Sequence, residues 1–235
     1  MLTVAILAGG FGTRIRPATE DIPKSMVEIS GKPFLHWQVD LLKKSGVENI
    51  VFCTSYKSET IEEYLGNGSS YGVSIKYSRD GKKQLGTGGA IVNALPMLGE
   101  MFMVLYGDSY LPINYALAEE FFLNSNKPAV MTIYQNKNQY DTSNVIFNEG
   151  ILKKYSKNEK APEMNYIDFG LSFFKSSIFG EYCHLKTFDL SIVYKDLSEK
   201  GLLAGFPVDS RFYEVGSFQG IADFVKFIEE KKHEL

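Results

Sequence analysis

Short apolar runs alternate with segments of helical spacing through the first 134 residues, and this alternation limits the fold more than any other feature. Residues 3–8 (Thr-Val-Ala-Ile-Leu-Ala), Asn49–Thr54, Met101–Tyr106 and Ala129–Tyr134 are dominated by apolar side chains. Strands read this way when both faces of their sheet are covered. Residues 73–77 alternate like a further strand. Between these runs, Phe34, Trp37, Leu41 and Leu42 mark a helix over 34–44, with Gly46 as its stop. Residues 59–65 read as a helix closed by Gly66, 88–95 as a helix halted by Pro96, and 114–123 as another. The repeated β-then-α order predicts an α/β chain with a doubly wound, mostly parallel sheet. Ligands of such sheets bind outside the carboxyl ends of the strands.

The second half is less regular. Residues 144–155 read as a hairpin turning at 148–150, 168–174 as a strand, and 202–215 as a strand pair or extended path. Ile221, Phe224, Val225 and Ile228 share one face of a terminal helix over 217–232. No linker divides the 235 residues. One domain is therefore expected, with a core to about residue 134 and a smaller β-rich lobe plus terminal helix over about 135–235.

A formal net charge of −3 gives no global field for holding a nucleic acid. An anionic substrate must be met by local cations and backbone N–H groups. Two cysteines, Cys53 and Cys183, lie far apart and provide no disulfide framework, in keeping with a reducing compartment. The apolar run at the N-terminus is too short for a signal or a membrane span, so a cytoplasmic protein is expected. The three histidines (His36, His184, His233) share no metal-ligand spacing.

The first strand runs into Gly9-Gly10-Phe11-Gly12-Thr13-Arg14-Ile15-Arg16-Pro17. Three glycines in four positions let the backbone approach a ligand closely, and successive loop N–H groups can form an anion nest. Arg14, Arg16 and, shortly after, Lys24 add positive charge. Phosphoryl and nucleotidyl transfer need this combination, because catalysis there consists of positioning and neutralising oxygen charge. Two other phosphate-binding loops do not fit. A dinucleotide fingerprint needs glycine where Ile15 stands and an acidic residue after the second strand, where Thr54 and Ser55 stand. A P-loop needs Ser or Thr where Pro33 follows Gly31-Lys32.

The long pattern Leu7-Ala8-Gly9-Gly10-Phe11-Gly12-Thr13-Arg14-Ile15-Arg16-Pro17, followed by Ile22-Pro23-Lys24-Ser25-Met26 and Gly31-Lys32-Pro33, resembles the signature of the sugar-1-phosphate nucleotidyltransferases. The resemblance implies their Rossmann-like fold with a small β-rich sugar-binding lobe, and a Mg²⁺-dependent joining of a nucleoside triphosphate to a sugar 1-phosphate. Among family members the chain is most like the short heptose 1-phosphate guanylyltransferases. That implies GTP and D-glycero-α-D-manno-heptose 1-phosphate as substrates. A UTP-, CTP- or dTTP-dependent enzyme on a hexose or amino-sugar phosphate is an alternative, as is a regulatory subunit of the same fold.

The resemblance also implies residue roles. Leu7, Ala8, Gly9, Gly10, Gly12 and Thr13 would hold the triphosphate, with Arg14 stabilising the departing phosphates and Lys24 the α-phosphate. Gln84, Gly86 and Thr87, in Gln84-Leu85-Gly86-Thr87-Gly88-Gly89-Ala90, would lie against the base. Asp108 of Gly107-Asp108-Ser109, at the end of a buried strand, would bind Mg²⁺, which favours carboxylates together with phosphate oxygens. Glu214, in Phe212-Tyr213-Glu214-Val215-Gly216-Ser217, stands where relatives carry an Asp and would be the second metal ligand. On the sugar side, Gly107, Asn144, Lys157, Asp168 and Gly170 would meet the sugar phosphate. Ser156 replaces the usual Glu, which suggests a sugar other than glucose. The aromatics of 169–182 read as core, and residues 169–179 could also serve a homodimer. Neither nucleic acid nor membrane is expected as a partner.

Overall fold

The computed structural model describes residues 1–10, 15, 19, 22–55 and 57–233. Seven strands form its main sheet: β1 Thr3–Leu7, β2 Asn49–Thr54, β3 Ser74–Arg79, β4 Met101–Tyr106, β5 Ala129–Tyr134, β6 Ile167–Lys175 and β7 Leu203–Val208. Their order is β7-β5-β6-β4-β1-β2-β3. The row β4-β1-β2-β3 is parallel throughout, with Val4 between Ile50 and Met103. All four strands therefore end on the same edge. β6 enters antiparallel between β4 and β5, and β7 adds to the far side of β5 in parallel. Two strands from beyond residue 134 thus complete the main sheet, one of them near its centre.

Side-chain alternation divides the core between the two faces of this sheet. Val4 and Ile6 point to one side with Met103 and Leu105, while Ala5 points to the other with Phe102 and Val104. Because both faces are covered, the inner strands β1 and β4 are apolar at nearly every position, whereas the edge strand β3 alternates. The first face packs on helices α1 (Phe34–Lys44), α2 (Ser58–Leu65) and α4 (Tyr115–Asn124) through Leu35, Val39, Ile61, Leu65, Tyr115 and Phe122. The second packs on α3 (Gly86–Leu98) and α5 (Ser191–Glu199) through Ile91, Ala94, Leu98, Val193, Tyr194 and Leu197. A third cluster, around Ile15, Phe34 and Val215, seats α6 (Phe218–His233) through Phe224 and Ile228.

Three expectations need correction. Pro96 does not halt α3 but lies inside it. It costs one hydrogen bond in the last turn, and Leu98 beyond it is buried, so packing holds the helix past the proline. Within 202–215, one strand joins the main sheet and the other, Tyr213–Glu214, pairs with Ser109–Tyr110. The aromatics of 169–182 are core as expected, with Phe169, Phe173, Phe174 and Phe179 all buried, so these four do not offer the dimer surface that was the added reading. Helix α5 was not anticipated, although Leu190, Val193, Tyr194 and Leu197 recur at helical spacing.

The hairpin Val145–Asn148 with Ile151–Tyr155 forms as expected. Its turn residues Glu149 and Gly150 both have positive φ (51° and 77°), which suits a tight two-residue connection. Among the described residues, no helix is long and apolar enough to cross a membrane.

Candidate active site

A cavity of about 340 Å³ opens at the carboxyl edge of the parallel row. Its wall includes Leu7, Ala8, Gly9 and Gly10 after β1, Gln84, Gly86 and Thr87 at the start of α3, and Gly107 and Asp108 after β4. Lys24, on a single 3₁₀ turn (Lys24–Met26), closes one side. The structure therefore brings ten of the expected residues to one cavity. Gly12, Thr13 and Arg14 lie outside the described residues.

Backbone contacts explain why glycines lie here. The Gly107 N–H donates to the Leu7 carbonyl (3.0 Å), and a Cβ on Gly107 would stand 2.7 Å from that oxygen and 3.0 Å from Ala8 Cα. Only a glycine lets the two strand ends meet this closely. The Ala8 N–H donates to the Cys53 carbonyl (2.9 Å), so adjacent parallel strands hold the start of the glycine loop. Gln84 donates from Nε2 to the Gly9 carbonyl (2.6 Å) and fastens the loop to the opposite wall.

Asp108 is held in place from several directions. Gln38, buried on α1, donates its amide to the carbonyls of Tyr106 (2.9 Å) and Ser109 (2.8 Å). The Val215 N–H donates to the Asp108 carbonyl (3.0 Å). With its backbone fixed, the Asp108 carboxylate meets the Lys24 ammonium at 2.5 Å. Lys24 is largely buried, at 14% side-chain exposure, while Asp108 keeps 34%. A desolvated ammonium beside a partly open carboxylate is ready to exchange that partner for phosphate oxygens.

Glu214 is placed differently. One carboxylate oxygen accepts the Gly216 N–H and the other the Ser217 hydroxyl (2.5 Å), so the group satisfies backbone and side-chain donors at the start of α6. Gly216 lines the cavity, and a Cβ there would strike both Lys24 Nζ and the Glu214 carboxylate. Glu214 thus stands just behind the wall on which Lys24 lies. Among the described residues, no group of three or more His, Cys, Asp or Glu gathers to hold an ion unaided. A cation here would depend on one or two carboxylates with oxygens from a ligand, which is how Mg²⁺ is commonly bound with phosphates.

The residues expected on the sugar side include an adjoining network. Asn144 Oδ1 accepts the Asp168 N–H (2.9 Å), and Asp168 Oδ1 accepts the Gly170 N–H (3.0 Å). Burial raises the Asp168 carboxyl from 3.8 to about 6, against the opposing pull of the Gly170 N–H, the Tyr106 hydroxyl and the Lys157 charge. Gly170, at φ +104°, lies against Tyr106 and Ser109 with only 3.4 Å left for a Cβ. Tyr106 lines the cavity and hydrogen-bonds Asp168, so it connects the two regions. Lys157 pairs with Asp189 at 2.8 Å.

Segment 186–191 connects this network to α3. The Leu190 N–H donates to Thr87 Oγ1 (2.8 Å), and the Gly88 and Gly89 N–H groups donate to the Phe188 carbonyl. The Phe188 ring occupies the place a Cβ on Gly88 would take.

Ser25, Cys53, Asp80, Ala90, Tyr106 and Gly216 also line the cavity and were not singled out from the sequence. Ser25 was legible, as the residue after Lys24. The others depend on strand pairing. Burial, with Asp80 adding to it, raises the Cys53 thiol to about 12, so it stays protonated and is no nucleophile. The arrangement suits gathering and neutralising anions.

Comparison with known proteins agrees with this geometry. The family model described as Nucleotidyl transferase matches residues 3–231. The chain is 31% identical over 212 residues to D-glycero-alpha-D-manno-heptose 1-phosphate guanylyltransferase of Campylobacter jejuni, covering 90% of this chain and 93% of that protein. It is 41% identical over 114 residues to N-acetylmuramate alpha-1-phosphate uridylyltransferase of Neisseria meningitidis, covering 48% and 49%. Among solved structures, HddC from Yersinia pseudotuberculosis complexed with GMP-PN superposes with a TM-score of 0.82 at 27% identity, over 97% of this chain and 100% of that one. The chain belongs to the nucleotidyl transferase family, as a sugar-1-phosphate nucleotidyltransferase.

Proposed function

We propose that the chain transfers GMP from GTP to D-glycero-α-D-manno-heptose 1-phosphate, forming GDP-heptose and pyrophosphate for surface polysaccharide synthesis. The observation that carries the transfer chemistry is the Lys24–Asp108 pair at the mouth of a glycine-lined cavity. The choice of GTP and heptose rests on likeness to the Campylobacter enzyme across nine-tenths of the chain. A cytoplasmic setting agrees with such substrates.

In this reading a phosphate oxygen of the sugar 1-phosphate attacks the α-phosphorus in line. The bond to the bridging oxygen breaks, and that oxygen leaves with pyrophosphate. No protein nucleophile is needed, because the attacking phosphate is already anionic. The chain's task is to hold two anions together. Loop N–H groups from Gly9 to Gly12 and Thr13 cradle the triphosphate. Lys24 neutralises the α-phosphate, Arg14 the departing phosphates, and Lys157 the sugar phosphate. Asn144, Asp168 and Gly170 orient the sugar. When bound, Mg²⁺ would neutralise phosphate oxygens, held by Asp108 and, once its present donors are released, by Glu214.

Identity of 41% with a uridylyltransferase over 114 residues favours UTP as the second reading. Incubation with each of GTP, UTP, CTP and dTTP against a set of sugar 1-phosphates, read by mass spectrometry, separates the two. GDP-heptose as the dominant product supports the first. A UDP-sugar as the dominant product replaces it with the second.

A further inference from the structure

Two segments from the carboxyl edge of the main sheet meet at Arg211. β5 and β7 run parallel to each other and to β4, so the loop after Tyr134 and the segment after Val208 leave the same edge as Asp108. The loop, residues 135–143, leads into Asn144, and the segment leads into Tyr213–Glu214. The Arg211 guanidinium carbon lies 4.2 Å from the centre of the Tyr140 ring and 4.6 Å from that of Tyr213. Its Nη2 donates to Asp223 Oδ2 on α6 at 2.8 Å, and Gln219 Nε2 donates to the other Asp223 oxygen at 2.7 Å. Tyr213 in turn stacks on Phe227 of α6, with ring centres 4.3 Å apart. A planar cation held between two rings and anchored by a carboxylate is an arrangement that lysine cannot reproduce.

Both sides of this contact are built to pass on a displacement. The loop is closed on itself by Asn136, which is fully buried. Asn136 Nδ2 donates to the Asp141 carbonyl (2.6 Å) and to Ser143 Oγ (3.2 Å), while its Oδ1 accepts the Tyr140 N–H (3.1 Å). The Ser143 N–H donates to Asn138 Oδ1 (2.8 Å), and the Asn138 N–H donates to Ser143 Oγ (3.1 Å). With these bonds in place, Tyr140 and Ser143 move as one piece. The next residue, Asn144, accepts the Asp168 N–H. On the other side, Tyr213–Glu214 pairs with Ser109–Tyr110, and the Val215 N–H donates to the Asp108 carbonyl. Arg211 therefore joins the piece that carries Asn144 to the piece that fixes Asp108.

We propose that Arg211 is a positioning residue: by clamping Tyr140 against Tyr213 it sets the sugar-side pair Asn144–Asp168 at its working distance from the Asp108 wall. The proposal rests on the transfer reading, with Asn144 and Asp168 on its sugar side. Arg211 is outside the residues that line the cavity, so its influence passes through the loop and not through contact with substrate. In-line displacement tolerates little error in the place of the attacking phosphate, and a misplacement of about 1 Å can cost about 10²-fold. Without the clamp the loop shifts relative to the wall, and the sugar 1-phosphate is held in fewer productive poses. The triphosphate side is spared, because the turns after β1 and before α3 are fastened to each other by Gln84 and Gly9.

The test compares wild type, Arg211→Lys, Tyr140→Ala and Tyr140→Phe, using the substrate pair that gives most product in the panel of triphosphates and sugar 1-phosphates. Arg211→Lys keeps a positive charge for Asp223 and loses the planar stack. Tyr140 is 37% exposed, so its truncation leaves the core intact. Arg211→Lys and Tyr140→Ala should each raise KM for the sugar 1-phosphate about tenfold, the worth of one well-held stacked cation. Triphosphate Kd should stay within about twofold of wild type in both. Tyr140→Phe keeps the ring and should stay within about twofold of wild type on both measures. The double variant Arg211→Lys/Tyr140→Ala should be no worse than the poorer single, because both changes break one contact. An unchanged sugar KM in Arg211→Lys overturns the proposal and leaves the transfer reading in place. So does a loss of triphosphate binding as large as the loss on the sugar side, or additive losses in the double variant. No product from wild type with any pair sinks the transfer reading and this role with it.

Discussion

The Lys24 ammonium lies 2.5 Å from the Asp108 carboxylate, 84 positions away in sequence. One comes from the segment after the glycine loop and the other from the end of a central strand. Their meeting puts a cation and a metal-type carboxylate at one point of the cavity wall. The chemistry proposed for the chain depends on this juxtaposition.

Replacing Lys24 with Ala should lower kcat by about 10²–10³, the usual cost of losing one preorganised electrostatic contact. The fold should survive, because the 3₁₀ turn is held by backbone bonds from Met26 to Pro23 and from Val27 to Lys24. Steady-state kinetics with far-UV circular dichroism check both halves. Near-normal turnover by a folded variant would remove Lys24 from the mechanism.

The two acidic candidates should separate in a Mg²⁺ titration. Asp108→Asn should cut activity by about 10² or more at any Mg²⁺ concentration, since its carboxylate lines the cavity. Glu214→Gln should have a smaller effect on activity, because that carboxylate already serves Gly216 and Ser217. It should instead cost about 1 kcal/mol of stability through the weakened start of α6. A Glu214→Gln loss as large as that of Asp108→Asn would show that Glu214 leaves its present partners and binds the metal with equal weight.

Asp168 should leave a mark on stability against pH. Its carboxyl stands at about 6 in the folded chain, above the ordinary 3.8, so the folded state holds the proton more tightly. The stability it contributes is complete below about pH 4 and is lost as pH rises through about 6. The change is of order 2–3 kcal/mol. Urea unfolding of wild type and Asp168→Asn across pH 4 to 7.5 should show wild type falling relative to the variant by about that amount. A difference that stays flat with pH would mean Asp168 is not held above its ordinary range.

Gly88→Ala should destabilise the chain by about 1–3 kcal/mol, because a Cβ there would collide with the Phe188 ring. It should also weaken triphosphate binding, since segment 186–191 buttresses the start of α3. Denaturant unfolding and nucleotide titration check the two effects. Full stability in the variant would mean that Phe188 moves aside at no cost.

Much of the parallel row was legible because buried strands are apolar throughout, as in residues 3–8 and Met101–Tyr106. The glycine-lined edge of the cavity was legible because close backbone approach demands glycine, and Gly9, Gly10 and Gly107 lie where strands end. The central place of β6 was not legible. An apolar strand carries no local record of its neighbours, and β6 pairs with β4 across more than sixty residues of chain. For the same reason Tyr106 and Asp80 read as ordinary strand-end residues. Asp80 becomes distinctive only when packing leaves one of its oxygens buried without a donor among the described residues. Gln38 was read as part of a helix, and only the contact between α1 and the loop after β4 makes it the support of Asp108.

The central claim is attack on the α-phosphorus of a triphosphate by a sugar 1-phosphate, and isotope placement tests it most directly. GTP labelled at either the α- or the γ-phosphorus is incubated with D-glycero-α-D-manno-heptose 1-phosphate, Mg²⁺ and the wild-type chain. The account predicts that α-label appears in the nucleotide-sugar and γ-label in pyrophosphate, in equal amounts. Label from the γ-position in the sugar product, or no labelled sugar product with any triphosphate, would contradict it.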